Sequence, residues 1–347
     1  MTTLKDIAAE LKLSPATVSR ALNGFPEVNA KTRELVRETA SRLNYRPNQF
    51  AQKLVSGRSG MVGLILKPFE ATNGDSSFFQ VMSGLSRILA QTELDLVFQA
   101  STDDDIVAPY RRMVDKKMLD AFILNGPEKD DPRIAYLQEQ GIPFVVHGRV
   151  GDADYAFYDI DNNQVAEDAV NLLCDLGHTR IALINGHQHY SFAIDRHAGY
   201  QKAMQQHDLT VPESAVQHGP QTSNFGYTAA LSMLSGRRGV PPTAIICAST
   251  AIADGVYRAA KDLNLSIPKD LSVVAHDDAV PEMRAVNFEP ALTVTRSPLR
   301  EACEPLARAV GKLLDGEAPE NLQTVTPAEL IVRNSTAPVA ITGIDKW

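Results

Sequence analysis

Apolar positions in residues 1–60 recur at helical spacing. Ile7, Ala8 and Leu11 share one face of a short helix, and Lys12-Leu13 makes a tight turn. Ser14 is a strong N-cap residue, and Pro15 suits the first helical position, where its missing N–H costs nothing. In the helix that follows, Val18 and Leu22 point to a core and leave Ala16, Ser19 and Arg20 on the opposite face. Asn23-Gly24 stops it. A third helix is predicted from about Asn29 to Asn44, with Leu35, Val36, Thr39, Ala40 and Leu43 as its buried stripe. Two short helices joined by a tight turn, with a third closing the core, form a helix-turn-helix. A further helix of barely two turns, Gln49–Ser56 behind an Asn48 cap, is too short to be stable alone. It orders only when something packs on it, and Ser56–Gly60 behind it is a flexible joint.

From Met61 the pattern changes. Near-continuous apolar runs at 61–67, 94–100, 121–125, 143–148, 180–186, 243–249 and 271–277 alternate with amphipathic stretches at 78–91, 106–118, 162–176, 195–207, 223–235, 250–263 and 298–315. Strands buried on both faces and alternating with helices predict parallel sheets. So many units exceed one small sheet, so the expected fold class is α/β: a three-helix headpiece followed by a body of two doubly wound lobes. Ligands in such folds bind outside the carboxyl ends of the strands. Phe78 and Phe79, His147, Arg196, Ser249 and the Asp277-Asp278 pair all follow strands. An aromatic platform, an arginine and a carboxylate suit a polyhydroxylated ligand: the ring stacks on C–H faces while the polar groups bond hydroxyls.

Charge sharpens this division. The chain carries 34 Lys/Arg against 42 Asp/Glu, a net −8, which alone argues against nucleic acid. Residues 1–60, however, carry 10 basic and 5 acidic residues, and the remainder carries 24 and 37, so a +5 head precedes a −13 body. Only the head has the balance expected of a phosphate-contacting surface. Within it, Arg20 is suited to the O6/N7 edge of guanine, Thr17 to a phosphate, and Leu54 to wedging between base steps. Pro15 and Ala16 carry no donors and read shape or thymine methyls.

The three cysteines, Cys174, Cys247 and Cys303, fit core thiols in a reducing compartment. No apolar run approaches a membrane span, and MTTLKDIAAELKL lacks a signal-peptide core, so the expected location is the cytoplasm. His187-Gln188-His189 lacks the companions of a metal site, and Asp103–Asp105 lacks a calcium-loop pattern. There is no P-loop, GxGxxG or GxSxG, so neither catalysis nor a cofactor is expected.

The ordered segments TLKDIA, SPATVSRALNG, VNAKTRELV, LNYRPN and AQKLVSGRSG closely resemble the headpiece and hinge of the lactose-repressor family of bacterial transcription factors. LGHTRIALI, RHAGYQKAM, PTAIICAS, LSVVAHDD, LTVTRSP and ELIVRNST extend the resemblance to about Thr336. It implies that Pro15, Ala16 and Arg20 face bases and that Leu54 intercalates at the operator centre; with Thr17, Ser19, Asn48 and Ala51 these make the expected DNA-facing set. It also implies a body similar to periplasmic sugar-binding proteins, with three crossovers between lobes and effector residues at Phe78, Phe79, Arg196, Ser249 and Asp277, to which position at a strand end adds His147. Ser249-Thr250 stands where the family has Asn-Asp, and Ala275-His276 where it has Gly-aromatic, so the hydrogen bonding to sugar differs from that of better-known members. VVHGR followed by YDIDN resembles α-glucoside-type regulators of proteobacteria.

The implied organisation is a helix-turn-helix domain at 1–47, a hinge at 48–60 and a body at 61–347. Lobe 1 covers about 61–161 and 291–323, and lobe 2 about 162–290 and 324–340. The implied function is a repressor of sugar-utilisation genes. It binds double-stranded operator DNA as a homodimer, since the tail Asn334–Trp347 has no leucine heptad for a tetramer, and a small saccharide releases it. A corepressor-dependent regulator of the same fold stays open, with a sugar-binding protein or a sugar-acting enzyme behind it.

Overall fold

The computed structural model describes residues 2–45, 58–66, 76–101, 104–236 and 239–339, with side chains from residue 79 onward in the helix that begins at Ser76. The chain divides into two compact units, Met1–Ser59 and Gly60–Trp347.

The first unit holds α1 (Leu4–Leu11), α2 (Pro15–Leu22) and α3 (Ala30–Arg42). Each start is capped by a local side chain. Thr3 and Asp6 form a reciprocal capping box, while Ser14 and Asn29 accept the amides of Thr17 and Thr32. Ile7, Ala8, Val18, Ala21, Val28, Val36 and Ala40 make the core, with Leu11, Leu22 and Leu43 packed against it. Leu35 departs from the expected stripe and is 48% exposed. Val36, Thr39, Ala40 and Leu43 keep the i, i+3, i+4, i+7 spacing, and Leu35 lies one position, about 100°, off that line. Arg33 donates to the carbonyls of Phe25 and Val28 and holds the α2–α3 connection, while an Arg42–Glu10 ion pair ties α3 to α1.

The second unit contains two six-stranded sheets. The first is formed by β1 (Met61–Leu66), β2 (Asp95–Ala100), β3 (Ala121–Asn125), β4 (Phe144–His147), β5 (Ala156–Ile160) and β11 (Gln323–Thr326), in the order β11-β5-β4-β3-β1-β2 and parallel throughout. The second is formed by β6 (Ile181–Asn185), β7 (Val216–His218), β8 (Ala244–Cys247), β9 (Ser272–Asp277), β10 (Thr293–Arg296) and β12 (Glu329–Ile331), in the order β12-β10-β9-β8-β6-β7. Only β12 runs antiparallel.

Alternate residues of each strand feed separate cores. Val62, Leu64, Ala121, Ile123 and Val145 pack on one face of the first sheet, and Ile65, Phe122, Leu124, Phe144 and Val146 on the other. Ala182, Ile184, Ile245 and Val273 oppose Ile181, Leu183, Ala244 and Val274 in the second. This double burial is why the strands read as unbroken apolar runs.

Covering the first sheet are α4 (Ser76–Leu89), α5 (Ala108–Asp115), α6 (Pro132–Glu139) and α11 (Cys303–Leu314). The second is covered by α7 (Asn162–Asp175), α8 (Ser191–Gln206), α9 (Ser223–Leu234) and α10 (Thr250–Asp262). The backbone passes between lobes three times: after β5, after β10 and after β11.

The lobe limits expected near the C-terminus need correction. Thr293–Arg296 pairs with Val274–Asp277 and belongs to the second sheet, although residues from 291 were expected in lobe 1. Gln323–Thr326 pairs with β5 and belongs to the first, although residues from 324 were expected in lobe 2. Both segments alternate apolar and polar residues over only four positions, too short a signal to say which sheet they join; strand pairing decides it. β5, β7, β10, β11, β12 and α6 had no place among the segments expected from periodicity.

Candidate nucleic-acid interface and ligand cleft

In the head, α2 presents the expected residues on one side. Pro15, Ala16 and Arg20 are exposed, and Thr17 and Ser19 are half-buried. The local chemistry explains how they are held. Ser14 Oγ accepts the Thr17 amide at 3.0 Å and lies 2.8 Å from Thr17 Oγ1, so the Thr17 hydroxyl is already part of the cap. Ser19 Oγ accepts a bond from Asn23 Nδ2 at 3.4 Å. Pro15 has no N–H and Ser14 takes the amides of Thr17 and Val18, so what this helix offers DNA is side chains, with the exposed Arg20 guanidinium in its last turn suited to phosphates and base edges. Asn48, Ala51 and Leu54 lie outside the described residues, as does the side chain of Phe78.

In the body, the carboxyl ends of the two sheets bring polar groups together. His147 ends β4, and its Nδ1 donates to Oδ1 of Asn125, at the end of β3, over 2.9 Å. Burial holds the His147 imidazole neutral, pushing it down to about 4 against the pull of Asp278. Two residues on, Arg149 Nε lies 3.3 Å from Asp159 Oδ2. Asp159 on β5 is 6% exposed. Burial pushes its carboxyl up to about 7, helped by Asp195 and opposed by the Ile160 amide, Arg149 and Arg196.

From the second lobe comes Arg196, in the second turn of α8. That helix starts at Ser191 rather than near Arg196, as the apolar pattern had implied. Arg196 is buried; its Nε donates to Asn162 Oδ1 at 2.9 Å and its Nη1 to the Ala248 carbonyl at 2.8 Å. The contact with α7 is possible because residue 199 is glycine: a Cβ there would run into the Asn163 carbonyl. Burial lowers the Arg196 guanidinium to about 10, opposed by Asp278 and Asp159. Asn162 in turn donates Nδ2 to Asp159 Oδ1 at 3.2 Å, so Arg149, Asp159, Asn162 and Arg196 form one polar chain through the first crossover.

The aspartate pair at the end of β9 divides its work. Asp277 was the expected ligand residue, yet its Oδ1 accepts the amide of Ala279 at 2.8 Å and stabilises a turn in which Ala279 has φ 56°. A non-glycine residue in that left-handed region costs roughly 1–2 kcal/mol, which the Asp277 bond offsets in part. Asp278 is the one facing the cationic groups. Burial opposes its ionisation, but His276, Arg196 and His147 together hold it below the usual carboxylate range. His276, buried next to it, has Nε2 3.3 Å from Asp278 Oδ1 without an aligned hydrogen bond. Ser249 is buried at the end of the β8 connection, and its hydroxyl accepts the Ile252 amide as the N-cap of α10. Phe79 is 63% exposed and has no place among these groups.

The lobes also meet through main chain. The Lys129 amide donates to the His189 carbonyl at 2.9 Å, and the Ser191 amide to Pro127 at 3.0 Å. Asn125, Asp159, Asn162 and His276 join His147, Arg196 and Asp278 in this polar cluster. Asn125, Asp159 and His276 sit on strands near their ends, which was a usable signal; Asn162 had none.

Residues 3–48 match the family of bacterial regulatory proteins of the lacI type, and residues 170–336 match a periplasmic binding protein-like domain. The HTH-type transcriptional regulator AglR of Rhizobium meliloti is 41% identical over 339 residues, covering 96% of this chain and 94% of that protein. The chain belongs to the lacI family. As a lacI-family protein it is a DNA-binding transcriptional regulator, not an enzyme, like the HTH-type regulator RafR of Escherichia coli, 34% identical over 93% of this chain and 96% of RafR. Among solved structures, the lac repressor dimer bound to operator and the anti-inducer ONPF superimposes with a TM-score of 0.81 at 25% identity, over 97% of this chain and 99% of that one. A complex of the regulator CelR with cellobiose gives 0.72 at 26% identity, over 96% and 100%. Among the described residues of this lacI-family chain, no helix is long and apolar enough to cross a membrane and no cluster of side chains is fit to hold a metal ion.

Proposed function

We propose that this regulator is a cytoplasmic repressor of sugar-utilisation genes, released from its operator when a small saccharide occupies the cleft of the body. The observation that carries this reading is the meeting of Asp278 and Arg196 with His147 and Asn125 at the carboxyl ends of both sheets. Carboxylate, guanidinium, imidazole and amide together donate to and accept from many hydroxyls at once. CelR, solved with cellobiose, and the lac repressor, solved as a dimer on operator, support the same ligand class and a homodimer here. The VVHGR and YDIDN segments favour an α-glucoside.

In this reading the DNA contacts are Pro15, Ala16, Thr17, Ser19 and Arg20, and the hinge at 48–60 adds Asn48, Ala51 and Leu54 in the minor groove. Head and hinge meet near residue 47. Sugar lowers operator affinity only if it binds the DNA-released arrangement more tightly, and a coupling of about 1–3 kcal/mol suffices for a working switch.

The test begins with duplexes selected by the intact chain from a random pool, then measures retention with and without maltose, sucrose or trehalose. Release by one of them is expected. Failure to retain any duplex at low salt rejects the operator contact, and a sugar that tightens retention replaces release with corepression.

A further inference from the structure

We infer that Asn162 is the positioning residue that couples a sugar in the cleft to the crossing between lobes, and through it to release of DNA. This rests on the saccharide reading above and adds the residue through which the cleft acts. Asn162 is the first residue of α7, it is buried, and its side-chain amide is bonded at both ends. Its Oδ1 accepts Arg196 Nε at 2.9 Å, and its Nδ2 donates to Asp159 Oδ1 at 3.2 Å and to the Ile160 carbonyl at 3.3 Å. Chemistry fixes this orientation. A guanidinium only donates, so the amide oxygen must face it and the NH2 must face the two acceptors. A carboxyl oxygen accepts in either protonation state, so the arrangement does not depend on the charge of Asp159.

The two ends of the amide belong to different lobes. Arg196 is fixed within lobe 2, where its Nη1 donates to the Ala248 carbonyl at 2.8 Å. Its Nη2 has no hydrogen bond among the described residues and is left for a sugar hydroxyl. Asp159 and Ile160 lie on β5, in lobe 1. The bond from Asn162 to Asp159 therefore spans the first crossing, where Asp161 alone separates β5 from α7. The Asp161 amide donates to the Thr326 carbonyl at 2.9 Å, which ties this crossing to the one after β11.

The chain passes between lobes at three crossings, so any change in the angle between lobes turns these segments. An amide is planar, so its oxygen and nitrogen move together. When a sugar draws Arg196 toward the cleft, Oδ1 follows it and Nδ2 turns away from Asp159 and Ile160. The crossing then loses its side-chain bond. In the other direction, a lobe movement that carries Asp159 away turns the amide and shifts Arg196. Ligand contact and lobe angle thus bias each other, as reciprocal coupling requires. Without the amide, Arg196 keeps its Ala248 bond and still meets a sugar, but that contact no longer reaches the crossing.

The experiment measures the dissociation constant of the full-length protein on its selected duplex, without sugar and at saturating maltose, sucrose or trehalose, with sugar affinity taken from calorimetry. In the wild type one sugar should weaken DNA binding about fivefold or more. Asn162→Ala should cut that release ratio about threefold or more, while sugar affinity stays within about threefold. Asp159→Ala removes the other end of the bond and should cut the ratio likewise, and the double variant should lose no more than either alone. In the unmodified protein, hydrogen exchange read by mass spectrometry should change on sugar addition at the Ile160 and Asp161 amides, a readout independent of whether a variant folds. An unchanged release ratio in Asn162→Ala, additive losses in the double variant, or a crossing whose exchange ignores the sugar overturns the inference and leaves the saccharide reading standing. A wild type that none of these sugars releases overturns the saccharide reading and the inference with it.

Discussion

The head and the body solve opposite problems with the same residue types. In Met1–Ser59 the polar groups that matter are outside: Pro15, Ala16 and Arg20 are exposed on a helix whose start is fixed by Ser14, one residue away. In Gly60–Trp347 they are inside: Arg196 and Asp159 are buried, and Arg196 finds its partners, Asn162 and Ala248, 34 and 52 positions away. Exposed groups act through reach and geometry. Buried charges are shifted and constrain one another, so one substitution disturbs several. A contact surface can be built from local helix chemistry, whereas a cleft that must respond to a ligand needs groups whose mutual placement changes when two lobes move.

Substitutions that separate the two regions test this contrast. The largest effect is expected from Ile7→Ala, which empties the centre of a core of only seven buried residues and should cost the head about 2–5 kcal/mol. Calorimetry should show the head transition lost or far lower while the body transition stays in place. A coupled shift of both transitions would mean that the units do not fold independently.

Next is Asp159→Asn. The folded chain holds this proton up to about pH 7, against an ordinary value of 3.8. The stability linked to Asp159 is thus fully present below about pH 4 and is lost as pH rises through about 7. Asparagine keeps an acceptor for the Ile160 amide and removes the titration. The variant should gain on the order of 2–4 kcal/mol relative to wild type at pH 8, with the gap closing toward pH 4. Melting curves across that range check it, and a gap independent of pH would show that Asp159 stays ionised in the fold.

Smaller is Arg20→Ala, expected to cost about 1–3 kcal/mol on the preferred duplex and less on random DNA, with both melting transitions unchanged. Equal losses on both duplexes would confine Arg20 to phosphate contact. Smallest is Leu35→Ala: at 48% exposure it should change stability by no more than about 0.5 kcal/mol, and a larger loss in urea titration would mean that Leu35 has a partner surface.

Legibility in the sequence follows the same divide. Helices α1 to α3 were readable, and the Ser14 cap of α2 with them, because Ser14-Pro15 and Asn23-Gly24 act within one turn of themselves; the Thr3–Asp6 capping box of α1 was not read. Leu35 was misplaced because a five-residue apolar stripe is wider than the groove that three short helices can close. In the body, the long apolar strands were readable, but the four-residue segments at 293–296 and 323–326 were assigned to the wrong lobes because pairing, not composition, chooses their sheet.

Arg196 and His147 were found from their position after strands. The Asp277-Asp278 pair could not be divided in the sequence: in the fold Asp277 accepts the Ala279 amide while Asp278 is the one held ionised by His276, Arg196 and His147.

By itself, the sequence determined the three helices of the head, the long strands buried on both faces, and which end of the chain carries positive charge. Those properties depend on side chains a few residues apart or on sums along the chain. Tertiary structure alone decided which lobe each late strand joins, which aspartate faces Arg196, and that Asp159 keeps its proton toward neutrality. Each of these depends on groups brought together across large separations and removed from water, where pairing and desolvation override the preferences any residue carries alone.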